Sequence, residues 1–114
     1  MNWIPLTSEA QLKEIDTYSF LPEIKGILLF KHSTRCSISS MAFNRLERHL
    51  KTSPSHPAYL LDLLNHRSLS DRIATAYQIE HASPQLLIIK DGKCIYTASH
   101  SEIDALNLQP VFNS

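Results

Sequence analysis

The sequence predicts an α/β fold: a central mixed sheet with a parallel crossover and a C-terminal antiparallel hairpin, flanked by helices. Three observations predict it. Two short, uninterrupted apolar stretches, Ile27 to Phe30 and AYLLDLL at residues 58–64, have the length of strands buried on both faces. Each is followed by a segment of helical periodicity, and strand, helix, strand, helix implies a parallel, right-handed crossover. The segment QLLIIKDGKCIYTAS then sets two apolar runs around Asp91-Gly92, a dipeptide that favours the tight turn of a hairpin. A chain of 114 residues suffices for one such core, so residues 1–114 are expected to form a single domain.

In SEAQLKEID, Ser8 is an N-cap candidate with Glu9 in the first turn, and Leu12 and Ile15 recur at helical spacing. IKGILLFKH supplies the first buried strand, which belongs near the sheet centre. After it, Ile38, Ala42, Leu46 and Leu50 recur every four residues, with Met41 and Phe43 widening the stripe and Arg45, Glu47 and Arg48 marking the solvent side. TSPSHP ends that helix. SLSDRIATAYQIE repeats the logic, with Leu69, Ile73, Ala76 and Tyr77 on one face. A last short helix is predicted to start at Ser101 or Glu102 and to pass through Ile103, Leu106 and Leu108, limited by Pro110.

Eleven Lys and Arg balance eleven Asp and Glu, which leaves no basic field to hold nucleic acid by counterion release. No run approaches the roughly 18 consecutive apolar residues of a membrane span, and MNWIPLTSEAQ lacks the basic and apolar regions of a leader. The expectation is a cytoplasmic protein with neither nucleic acid nor membrane as partner. The two cysteines form no C-x-x-C pair, and none of the six histidines forms an H-x-x-x-H or H-x-x-E pair, so no metal site is predicted.

Cys36 stands in KHSTRCSISS, where the first buried strand passes into a helix. A parallel crossover with a cysteine at that helix start, followed by a second helix, Ser83-Pro84 and a hairpin, resembles the thioredoxin fold over residues 26–99. Within that fold, HSTRCSIS and the WIPL lead-in resemble the monothiol bacilliredoxins, small proteins of bacillithiol-producing bacteria. Those proteins more often carry a proline directly after the cysteine, where this chain has Ser37. The resemblance implies that Cys36 is the redox cysteine and that a cis Pro84 faces it. It also implies that the Ser83 backbone pairs with an incoming substrate strand. Bacillithiol or a similar low-molecular-weight thiol would be the co-substrate, with no tightly bound cofactor, and thiol-modified proteins would be the clients.

The residues carry a matching chemistry. Unpaired N–H groups and aligned peptide dipoles at a helix N-terminus favour an anion, and the thiolate is the nucleophile of thiol–disulfide exchange. Arg35 adds a neighbouring positive charge, and Ser39, three residues on, is placed to donate a hydrogen bond to the sulfur. The motif is C-x-x-S, so Cys36 can accept a thiol adduct but has no neighbouring thiol to expel it. Cys94 lies just beyond the hairpin turn, roughly 20 Å along the strand from Pro84 at about 3.3 Å per residue, too far for a bond that needs Cα atoms within about 7 Å. Lys31 and Arg35 are candidate contacts for the carboxylates of bacillithiol, and His32 and His81 are the histidines nearest the site in sequence.

The leading function is therefore a monothiol oxidoreductase that removes a small thiol from protein mixed disulfides. Two other classes use similar features. Monothiol glutaredoxins hold an iron–sulfur cluster with a C-x-x-S cysteine, but with Gly and Phe where this chain has Ser37 and Ile38. A thioredoxin-like interaction module without turnover would need no reactive thiol.

Overall fold

Six consecutive residues from Ile27 to His32 are buried, and the sheet is built around the strand they form. The structure, a computed structural model, describes residues 3–50 and 54–112. In chain order the elements are β1 (Trp3–Pro5), α1 (Glu9–Tyr18), β2 (Ile27–His32), α2 (Ser37–His49), β3 (Ala58–Asp62), α3 (Arg67–Ala76), β4 (Gln85–Lys90) and β5 (Lys93–Ser99). Two 3₁₀ turns, His100–Glu102 and Ala105–Leu108, and the short α4 (Gln109–Phe112) complete the described chain. The five strands lie in the order β1-β3-β2-β4-β5. β3 runs parallel to both β1 and β2, whereas β4 is antiparallel to β2 and to β5.

Successive side chains of a strand point to opposite faces, so β2 feeds two cores. Leu28 and Phe30 pack with Ala42, Leu46 and Leu50 of α2 and with Ile103 and Leu108 of the C-terminal turns. Ile27 and Leu29 pack on the other face with Ile15 of α1 and with Leu69 and Ile73 of α3. At the start of α1, Ser8 is the N-cap, and its hydroxyl and the Gln11 side chain form a reciprocal capping box. Asp91 and Gly92 both take positive φ, 53° and 73°, as the tight turn between β4 and β5 requires.

Several expectations are corrected. WIPL is more than a lead-in: Trp3–Pro5 adds an edge strand beside β3. The apolar stretch 58–64 ends as a strand at Asp62, whose carboxylate accepts from the Leu64 N–H and the Asn65 amide and turns the chain. The buried face of α2 is Ser39, Ala42 and Leu46, while Ile38 and Met41 are 56% and 64% exposed. Ser39 lies seven residues before Leu46, two turns back on the same face, and Ile38 is rotated about 100° away from it. Ala76 of α3 is likewise exposed. The predicted C-terminal helix is broken into two 3₁₀ turns, because Arg45 donates to the carbonyls of Ile103 and His100 and His100 takes a φ of 53°. Pro110 then falls in the first turn of α4, where its missing N–H costs nothing. Of TSPSHP, Thr52 and Ser53 lie outside the described residues, and α2 closes with Leu50 as its C-cap. Among the described residues no helix is long and apolar enough to cross a membrane.

Leu46 is completely buried in the core between α2 and β2. Leu46→Ala is expected to cost about 2–5 kcal/mol in a urea unfolding titration, through lost burial and the cavity left behind.

Candidate active site

β2 delivers the chain to the site. Beyond His32 the backbone turns, with the Cys36 N–H donating to the Ser33 carbonyl at 3.1 Å, and Cys36 becomes the N-cap of α2 in an extended conformation. The Ser40 N–H donates to the Cys36 carbonyl at 3.0 Å and closes the first turn of α2. Cys36 is partly exposed, Thr34, Arg35, Ser37 and Ile38 around it are exposed, and its side chain makes no capping hydrogen bond. The thiol thus stands at the mouth of a helix N-terminus, a place that favours an anion.

Pro84 lies at the same end of the sheet. It precedes Gln85, which pairs with Lys31 near the end of β2. The Ser83–Pro84 bond is cis, Pro84 is buried and Ser83 is partly exposed, with its hydroxyl buried and unpartnered. The N–H of His100 reaches the Pro84 carbonyl at 3.4 Å.

Ser39 has partners other than the predicted sulfur. It is fully buried, its Oγ accepts from the Ser33 N–H at 3.0 Å, and the same Oγ lies 2.7 Å from His32 Nδ1. The hydroxyl therefore ties the strand end, the loop before Cys36 and the first turn of α2 together. His32 stacks on Phe43 with ring centroids 5.1 Å apart, and Phe43 in turn packs against Phe30 and Trp3. Burial pulls the His32 imidazole below its ordinary value, with the Asp62 carboxylate partly opposing, so the ring is held neutral.

Lys31 also departs from expectation. It is 0% exposed, on the sheet face opposite α2, so it is not a surface contact for a small anionic thiol. Strand alternation decides this: Phe30 and His32 face α2, which puts Lys31 under α3. Its ammonium donates to the Ser70 carbonyl at 3.3 Å and lies 3.3 Å from His81 Nδ1. Burial lowers its pKa to about 8, with Asp71 partly opposing. The sequence signal for both Lys31 and His32 was their position directly after the apolar run Ile27–Phe30, where polar side chains are buried as long as the strand continues.

Cys94 belongs to the far end. It pairs with Ile89, and Ile89 pairs with Ile27 at the start of β2, about 17 Å along that strand from His32 at about 3.3 Å per residue. Its thiol reaches the Tyr96 carbonyl at 3.2 Å, burial pushes its pKa up, and both cysteines are free.

The monothiol bacilliredoxin BrxC family matches the chain over residues 4–108. Among solved structures, an oxidoreductase described as having a thioredoxin fold superposes with a TM-score of 0.78 at 28% identity, covering 95% of this chain and 91% of that one. Thioredoxin from Malassezia sympodialis matches with a TM-score of 0.71 at 18% identity over 98% of this chain and 89% of its own. Thioredoxin from Trypanosoma brucei brucei matches with 0.73 at 12% identity over 98% and 88%. The last two establish the thioredoxin fold alone.

Two predictions follow from the buried polar groups. Ser39→Ala leaves His32 Nδ1 and the Ser33 N–H without their partner and is expected to cost about 1–3 kcal/mol, read by urea unfolding. Between about pH 8 and its unfolded value of 10.5, Lys31 has lost a proton in the folded chain that the unfolded chain still holds, so stability rises with pH. The rise is about 2 kcal/mol from pH 8 to 10. Tyr77, pushed up to about 12 by burial and Asp16, and Cys94 act in the opposite sense as pH rises, so Lys31→Met serves as the reference: it is expected to lack the rise.

Proposed function

The chain belongs to the monothiol bacilliredoxin family, and on that footing we propose that Cys36 removes bacillithiol, or a similar low-molecular-weight thiol, from protein mixed disulfides. Family and fold support a thiol oxidoreductase. The single observation that carries the finer reading is the pairing of a partly exposed Cys36 at a helix N-terminus with a Ser39 that is buried and already hydrogen-bonded. One thiol is presented and no second thiol is near.

The reaction takes two exchanges. The Cys36 thiolate attacks the small-thiol sulfur of a client's mixed disulfide; a bond forms between Cys36 Sγ and that sulfur, the client's S–S bond breaks, and the client leaves as its thiolate. The thiolate of a second small-thiol molecule then attacks the adduct on the same sulfur, releasing the Cys36 thiolate and a small-thiol disulfide. Over the two exchanges one disulfide is broken and one is formed: the client sulfur is reduced to a thiol, the incoming small thiol is oxidised into the disulfide, and no outside oxidant or reductant is needed. In this reading the exposed Arg35 guanidinium supports the thiolate, Ser83 and Pro84 line the groove for the incoming disulfide, and Ser39 acts by fixing the loop that carries Cys36. The activity belongs in the cytoplasm, where thiols stay reduced.

Mass spectrometry after one turnover on a thiol-modified client tests the reading. Wild type is expected to carry the added mass of one small thiol on Cys36, Cys36→Ser to be inactive, and Cys94→Ser to match wild type. Ser39→Cys supplies an attacking thiol three residues on and is expected to lose the adduct together with two hydrogens, leaving an internal disulfide. A wild-type Cys36–Cys94 disulfide would overturn the monothiol mechanism.

A further inference from the structure

The loop between α3 and β4 leads into Ser83 and Pro84, and His81 within it is tied inward by its Nδ1. That nitrogen lies 3.3 Å from Lys31 Nζ and 3.1 Å from Ser70 Oγ. A lysine ammonium can only donate, so His81 Nδ1 accepts, and the neutral ring must carry its proton on Nε2. Nε2 is on the opposite edge of the imidazole from Nδ1, and His81 is exposed. The residue lines a cavity of about 350 Å³, shared with Ala82 and Gln85, which flank Ser83 and Pro84 in the chain, and with Glu80, Thr97, Ser99 and Glu102.

From this geometry we infer that His81 is a substrate-contacting hydrogen-bond donor, its Nε2–H fixed in place by the buried Lys31 acting as a positioning residue. The inference rests on the dethiolation reading and adds a contact to it. Two carboxylates line the same cavity, so an anionic group is disfavoured there and the acceptor that His81 meets is a neutral one, an amide carbonyl or a hydroxyl. Such an acceptor is present both on a client backbone and on an amide- or hydroxyl-bearing small thiol.

The charges around the ring keep it neutral. Burial pulls His81 below the ordinary histidine value, and the Lys31 and Arg67 charges push the same way against Asp71. Glu80 and Glu102 also line the cavity, but the charges that act on the ring are those of Lys31, Arg67 and Asp71. Lys31 thereby costs the fold a buried charge and in return sets both the tautomer and the protonation state of a group at the site.

Two measurements test this. Ring nitrogen NMR of the full chain is expected to show the Nε2–H tautomer with a midpoint below that of an ordinary histidine, and Lys31→Met is expected to move the midpoint up. An Nδ1–H tautomer, or a midpoint that Lys31→Met leaves unchanged, overturns the positioning role. Steady-state kinetics then separate contact from structure through two exposed-site variants. His81→Gln keeps a donor near the Nε2 position and loses the acceptor for Lys31, whereas His81→Asn keeps an acceptor near Nδ1 and loses the outer donor. Loss of one neutral hydrogen bond raises KM about tenfold, so Asn is expected to show that rise at unchanged kcat and Gln a smaller one; the reverse order marks a purely structural residue and overturns the inference. Running the assay with a symmetrical small-thiol disulfide as well as with a modified client assigns the acceptor: an effect on both substrates places it on the small thiol, and an effect on the client alone places it on the client backbone. An effect on neither overturns the contact. A wild type with no turnover removes the dethiolation reading and this contact together, whereas an active wild type with equal Asn and Gln variants removes the contact alone.

Discussion

Two polar side chains at the end of a fully buried strand hold this site together. Lys31 and His32 follow four apolar residues on β2 and are themselves buried, on opposite faces of the sheet. A buried polar group without a partner costs several times what a satisfied one contributes, so each must be met by a hydrogen bond. His32 is met by Ser39 at the first turn of α2, and Lys31 by Ser70 of α3 and His81 of the following loop. The partners are the segments that carry or flank Cys36 and Pro84. Satisfying the strand end therefore positions the site.

The same constraint explains why no second thiol stands beside Cys36. The position three residues after Cys36 lies on the buried face of α2, in line with Ala42 and Leu46, and a serine there has two neighbours to satisfy: His32 at the strand end and the Ser33 N–H. Its hydroxyl is small enough to fit and polar enough to bind both. Cys94 cannot substitute for a neighbouring thiol, since the register of β2, β4 and β5 places it level with Ile27. The second sulfur packs beside the apolar residues of the α1 and α3 face.

The register of α2 also decides what surrounds Cys36 at the surface. With Ser39, Ala42 and Leu46 turned inward, Ile38 and Met41 are turned out on the turns next to the thiol. Exposed Ile38, Met41 and Arg35 thus surround Cys36, and the loop of His81, Ser83 and Pro84 lies at the same end of the sheet. Arg45 pins the C-terminal turns against α2, and the His100 N–H links those turns back to Pro84.

Local pattern determined the elements. Apolar runs of strand length, helical spacing of Leu46 and Ile73 and the Asp91-Gly92 turn are one-dimensional signals, each read within a dozen residues, and they led to the α/β order and to Cys36 at a helix start. The lead-in Trp3–Pro5 was too short to announce itself, because a three-residue edge strand depends on β3 being there to pair with. The face on which each polar residue falls was decided only by tertiary structure. Whether Lys31 meets solvent or Ser70, and whether Ser39 meets a sulfur or an imidazole, depends on which elements cover the end of β2, and groups that touch across 39 or 50 residues of sequence leave no periodicity for the sequence alone to display.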